Sequence, residues 1–115
     1  MRYFPFILLL ISHVSFASEH PECDSPNNWA AMIAFSHLKN EGLINNTDID
    51  LDKTLVKRIA SEEIRKDLYR QVHEVNFHKK IGTQIKVITV NNASQEECSM
   101  SSVEIFLVSK RISGK

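Results

Sequence analysis

Two cysteines, Cys23 and Cys98, stand near opposite ends of the part of the chain that looks able to fold, and their relation constrains the architecture most. A bond between them would close a loop of 98 − 23 = 75 residues. Whether they bond depends on the compartment, because oxidising surroundings favour disulfides and the cytosol favours free thiols. The N-terminus points to export. Arg2 is a charged n-region, Phe4 to Ile11 (FPFILLLI) an apolar h-region, and Ser15-Phe16-Ala17 puts small residues third and first before an expected cut ahead of Ser18. The apolar run is far short of the roughly 20 residues that span a bilayer, so residues 1–17 read as a signal peptide and no membrane insertion is expected after its removal. No cysteine follows the cut directly, and Cys23 lacks the small apolar lead-in of a lipid-anchored protein. A Cys23–Cys98 disulfide is therefore the expectation. A nucleophilic or metal-binding thiol would want a His partner or nearby positive charge, and Gln95-Glu96-Glu97-Cys98-Ser99 supplies neither.

Residues 18–115 are 115 − 17 = 98 in number, enough for a single domain with one modest core. Without Arg2 the charge is 13 basic against 14 acidic. Such a balance argues against a nucleic-acid binder or a polybasic membrane-surface protein, both of which need a positive excess to pair with phosphate. Only 3 Gly and 3 Pro occur, so no Gly-rich phosphate cradle or linker is present.

Ser25-Pro26 reads as a helix start, with Ser as the cap and Pro at the first helical position. Asn27 to Glu41 follows as the helix, and Gly42 is placed to end it. Its apolar residues, Trp29 to Phe35 and Leu38, cover more than one stripe, as in a helix buried on several sides in the concave face of a sheet. Leu43 to Asp52 reads as a turn leading into extended structure. Thr54 to Ile64 is ambiguous: Leu51, Leu55 and Ile59, with Val56, Ala60 and Ile64, suit a helix, while an edge strand is the preferred reading. Tyr69, His73, Val75 and Phe77 alternate with Arg70, Glu74, Asn76 and His78 as in a half-buried strand. Lys79 to Thr83 is a hairpin turn centred on Gly82, Gln84 to Val90 a β-branched strand, Asn91 to Ser101 a polar loop, and Ser102 to Ile112 the final strand.

The expected fold is α+β: one N-terminal helix packed on a curved antiparallel sheet of three to four strands, a cystatin-like arrangement. With His20-Pro21-Glu22-Cys23 ahead of the helix and a second cysteine near the last strands, the chain resembles small secreted proteins of the YebF and colicin M immunity type. The resemblance implies an exported, non-enzymatic protein, and for the immunity member a protein that blocks a toxin. Cys98 stands a loop's length before the final strand, which departs from that pattern.

Sites for chemistry are sparse. His20 and Cys23 form a two-ligand pair beside Glu22, where a structural zinc site wants four ligands. His73 and His78 fall on opposite faces of one strand by parity, and His37 sits late in the helix as an ordinary C-terminal residue. No Gly-x-Ser-x-Gly elbow is present. Glu62-Glu63 and Glu96-Glu97 are adjacent pairs, not carboxylates separated across a cleft. No metal or organic cofactor, and no catalytic residue, is expected.

The loop Asn91 to Ser101 is long for a connection between antiparallel strands, and long polar loops carry function more often than minimal hairpins. Asn92, Gln95, Glu96 and Glu97 are its candidate partner-binding residues. Two readings follow: a periplasmic or secreted module that binds another protein, such as an immunity or inhibitor protein, and a small-ligand or enzymatic pocket in the sheet's concavity. An apolar pocket facing Trp29 and Phe35 would favour the second.

Overall fold

A computed structural model describes residues 19–108. Residues 1–17, expected to be a signal peptide, and the end of the expected last strand, 109–112, lie outside them. The chain forms one helix, α1 (Trp29–Asn40), and four strands, β1 (Ile49–Arg65), β2 (Leu68–Lys79), β3 (Gln84–Ala93) and β4 (Glu104–Val108). The strands make one antiparallel sheet in the order β1-β2-β3-β4, so consecutive strands are neighbours throughout and β1 and β4 are its edges. This is the α+β class expected, one helix packed on an open four-stranded sheet. Among the described residues no helix is long and apolar enough to cross a membrane.

The helix begins later than Ser25-Pro26 implies. Those residues form a turn, closed by the Asn28 backbone N–H donating to the Ser25 carbonyl at 3.0 Å. Asn28 is the N-cap in extended geometry, without a side-chain cap bond. The far end matches expectation. Gly42 takes φ +74°, its N–H bonds the Lys39 carbonyl, and the Leu43 N–H bonds the Leu38 carbonyl. That pair of bonds satisfies carbonyls left free at a helix end, and the left-handed φ suits Gly. Burial is narrower than expected. Ala30, Ala31, Ala34 and Leu38 are buried, while Trp29 and Met32 stand 38% and 56% exposed. The small alanines let α1 approach the sheet, where it packs chiefly over β3.

Residues 54–64 are strand, and β1 extends beyond them, by five residues to Ile49 on the N-terminal side and by one to Arg65 on the other. β1 slips register against β2 between Asp50 and Leu55, Arg58 and Ala60, and Glu63 and Arg65. β2 and β3 pair without a break, Tyr69 opposite Ala93 through His78 opposite Gln84. On the face under α1, Phe77 pairs Ile85 and Val75 pairs Val87. These join Ala31, Ala34, Leu38, Ile44 and Ile49 as the core, with Phe35 against Phe77 at 6.0 Å between ring centroids. Gly82, at φ +89°, turns the β2–β3 hairpin as the sequence predicts.

Candidate functional site

Alternation along β2 and β3 continues past the apolar core, but the residues change character. On the same inner face His73 lies opposite Thr89, Gln71 opposite Asn91, and Tyr69 opposite Ala93. His73, Gln71 and Thr89 are fully enclosed and Asn91 is nearly so. A chain segment and a loop cover this polar end in place of the helix. The segment is Glu19 to Asp24, and it is anchored by the disulfide between Cys23 and Cys98. The Pro21 carbonyl accepts from Gln71 Nε2 at 2.9 Å and from Arg58 Nη1 at 3.1 Å. His20 Nδ1 lies 2.6 Å from Ser61 Oγ, and its ring meets Tyr69 edge-on at 5.0 Å.

The loop between β3 and β4, residues 94–103, completes the cover. Asn91, Asn92 and Ala93, expected within it, prolong β3 instead. Their side chains keep the strand's alternation, and Asn91 and Ala93 are buried. Asn91 Nδ2 donates to the Cys98 carbonyl at 2.9 Å, which holds the loop down at the disulfide. Ser94 and Glu97 exchange backbone bonds, Ser94 N–H to the Glu97 carbonyl at 2.7 Å and Glu97 N–H to the Ser94 carbonyl at 3.3 Å. Gln95 N–H donates to Asp67 Oδ1 at 2.9 Å. Asp67 sits in the tight β1–β2 turn at φ +53°, a left-handed conformation that Asp tolerates better than most residues. Met100 N–H reaches the Asn92 carbonyl, Asn92 N–H reaches Ser101 Oγ, and Trp29 Nε1 reaches the Ser101 carbonyl.

The four sequence-predicted contact residues are therefore gathered at one end of the molecule but are not equivalent. Asn92 is half-buried in β3. Gln95 is exposed, yet its Nε2 donates to the Glu19 carbonyl and ties loop to lead segment. Glu97 is exposed and accepts from Ser99 Oγ at 2.9 Å. Glu96 is exposed at the tip and has no hydrogen bond or ion pair to a described residue. The two carboxylates thus point from a braced turn toward solvent.

The buried polar row was not singled out by sequence reasoning, which treated His73 as one strand residue among others. Neither ring nitrogen of His73 has a hydrogen-bond partner, nor do Gln71 Oε1, Thr89 Oγ1 and Asn91 Oδ1. Desolvation holds His73 below its ordinary pKa of 6.5, a lowering opposed by Asp24 and reinforced by Arg58. The signal was available in the sequence: Thr89, Asn91 and Ala93 continue the period-two spacing of Ile85 and Val87. His78 falls on the opposite face, as parity requires, so the two histidines of β2 do not converge. Cys23 is bonded to Cys98 and His20 lies against Ser61, so His20, Glu22 and Cys23 do not assemble as a ligand set.

Cavities are open grooves. One, of about 550 Å³, runs between the lead segment and β1, lined by Glu22, Asp24, Val56, Lys57 and Arg58. Another, of about 270 Å³, lies between α1 and the start of β1, with Phe35, Met32, Leu51, Thr54 and Phe77 in its walls. Trp29 does not line it and points to Ser101 instead. Neither groove reaches His73.

Set against known protein families, characterised proteins and solved structures, the chain matches none of them.

Proposed function

We propose that this protein is a non-enzymatic module that acts in the periplasm or outside the cell and binds another protein through the loop 94–103, as an immunity or inhibitor protein does. The observation that carries the reading is the bracing of that loop. The disulfide, the Ser94–Glu97 turn and the Asp67 contact fix its backbone, while Gln95, Glu96 and Glu97 face solvent. A contact surface already ordered before encounter loses little conformational entropy on binding. Glu96 and Glu97 would speed association with a basic partner more than they would tighten the complex. Export is supported by the disulfide together with the N-terminal pattern of residues 1–17.

A small-ligand or enzymatic pocket is the second reading, and the unpartnered polar row beneath the lead segment favours it. That row is closed to solvent, and neither of those two grooves among the described residues is lined by it, so the protein-binding reading is preferred. The test is capture from periplasmic extract on the immobilised mature chain, with Glu96→Lys/Glu97→Lys as the variant. Its melting temperature should stay within about 2 °C of the original, since both side chains are surface groups. A partner captured by the original chain should be lost or reduced at least tenfold with the variant. Undiminished capture would remove the loop from the interface. No captured protein under any condition would sink the module reading and leave a small-ligand pocket as the better one.

A further inference from the structure

β1 is an edge strand of 17 residues, so along one side its backbone N–H and C=O groups have no neighbouring strand among the described residues. Natural edges are commonly blunted with charge, Pro or bulges. β1 has the bulges, yet two of the residues placed at them are aliphatic and exposed. Ile59 falls between Arg58, opposite His73, and Ala60, opposite Val72, and is 52% exposed. Ile64 falls between Glu63, opposite Tyr69, and Arg65, opposite Leu68, and is 41% exposed. An edge shaped only to repel other strands would carry charge at these places.

Close to the Ile59 bulge, charge is also divided by position. Lys57 and Arg58 precede the Ile59 bulge, and Glu62 and Glu63 follow it. The two ion pairs among the described residues, Lys53–Asp50 and Lys86–Glu74, involve none of these four. An antiparallel pairing of this strand with itself sets the first half of one copy against the second half of the other. Basic residues then meet acidic ones. A parallel self-pairing would set like against like.

We propose that β1 pairs antiparallel with β1 of a second copy of this chain, about a two-fold axis at the Ile59–Ala60 bulge, extending the sheet across both copies. Facing residues are consistent with this register. Lys57 and Glu62 lie on the outer face, opposite Glu74 and Arg70 of β2, while Arg58, Ser61 and Glu63 lie on the inner face, opposite His73, Gln71 and Tyr69. Setting Lys57 opposite Glu62 of the second copy keeps outer residues with outer ones. It also sets Arg58 opposite Ser61 and diagonal to Glu63 on the inner face, distances over which strand neighbours interact. The two-fold repeats every contact, and at its centre Ile59 of each copy falls opposite Ala60 of the other. This interface is separate from the loop 94–103 and does not depend on the proposed partner.

An edge ladder of this length buries less than the roughly 1,600 Å² of a standard complex. The dimer should therefore form in a concentration-dependent way, and more readily at low salt, where charges are less screened. Sedimentation equilibrium of the mature chain over a hundredfold concentration range, up to about 0.5 mM, reads it directly. Lys57→Glu alone and Glu62→Lys alone should each weaken self-association at least tenfold, because each opposes like charges twice. An equimolar mixture of the two variants should recover association, since each mixed pair sets an acidic edge against a basic one. Unchanged melting temperatures would show both variants folded. A monomer at every concentration would overturn the proposal, and so would loss in both variants without recovery on mixing, or no loss in either. An edge reserved for an extended segment of a different protein would appear as the first of these outcomes.

Discussion

Replacing Cys23 and Cys98 together by Ala releases a closed loop of 75 residues in the unfolded chain. On the chain-entropy model, the freedom restored is about 15 cal/mol/K, or about 4.5 kcal/mol at 25 °C. Alanine is the right replacement because Cys23 is only 3% exposed, and a hydroxyl there would add the cost of a buried polar group. The lead segment keeps other anchors: the Pro21 carbonyl still accepts from Gln71 and Arg58, and Gln95 still donates to the Glu19 carbonyl. The fold should therefore survive, with the change concentrated in the unfolded ensemble. Single domains have about 5–15 kcal/mol in total, so the variant should be left close to the limit of stability. Urea unfolding followed by Trp29 fluorescence measures the loss. Trp29 is the sole tryptophan, and its Nε1 contact with the Ser101 carbonyl at 3.2 Å places the probe at the cross-linked end. The expected loss is about 3–5 kcal/mol, with a larger m-value, because an unlinked unfolded chain exposes more surface. A loss below about 1 kcal/mol with the m-value unchanged would refute the reasoning. Denatured, unreduced protein should also show no reactive thiol.

Two further outcomes follow from the inner face. Desolvation keeps the folded-state pKa of His73 below 6.5, so between those two values the unfolded chain binds the proton that the folded chain refuses. Stability is thus full above the ordinary histidine pKa and falls as the pH drops from there through the lowered folded value; His73→Leu should flatten this decline in urea midpoints measured between about pH 7.5 and pH 5. An equally steep decline in the variant would assign it to other groups. Ala34 is fully buried where α1 meets the sheet, so Ala34→Leu should overpack that contact and cost about 1–3 kcal/mol. A neutral result would mean that α1 can shift away from β3.

How far the fold could be read from residue order is clearest at β1. Leu51, Leu55, Ile59 and Ile64 stand four, four and five apart, close to helical spacing. They do so because bulges repeatedly shift the strand's phase, and each shift breaks the period-two pattern that betrays a strand. β2 and the first part of β3, free of bulges, were legible throughout. The helix start was misread because Ser25 and Pro26 serve a turn leaving the disulfide, a use of capping residues that local pattern cannot distinguish from a cap. At the candidate site, the disulfide was legible from the presence of one cysteine pair and the signal-like pattern of residues 1–17, and the structure contains that bond. Asn91 and Asn92 read as loop because Asn is rare in strands. Only the cover formed by Cys98 and the lead segment turns Asn91 into an interior residue, a relation between distant parts of the chain.

The order in which the two cysteines are delivered has a consequence for biogenesis. Synthesis from the N-terminus makes Cys23 early and Cys98 only after α1 and three strands have followed. Within a single copy the Cys23–Cys98 bond can close only once most of the described domain is present, so an interrupted chain lacks that bond. The segment that roofs the polar end of the sheet is thus among the first parts to be made, yet its covalent anchor is made only after β3.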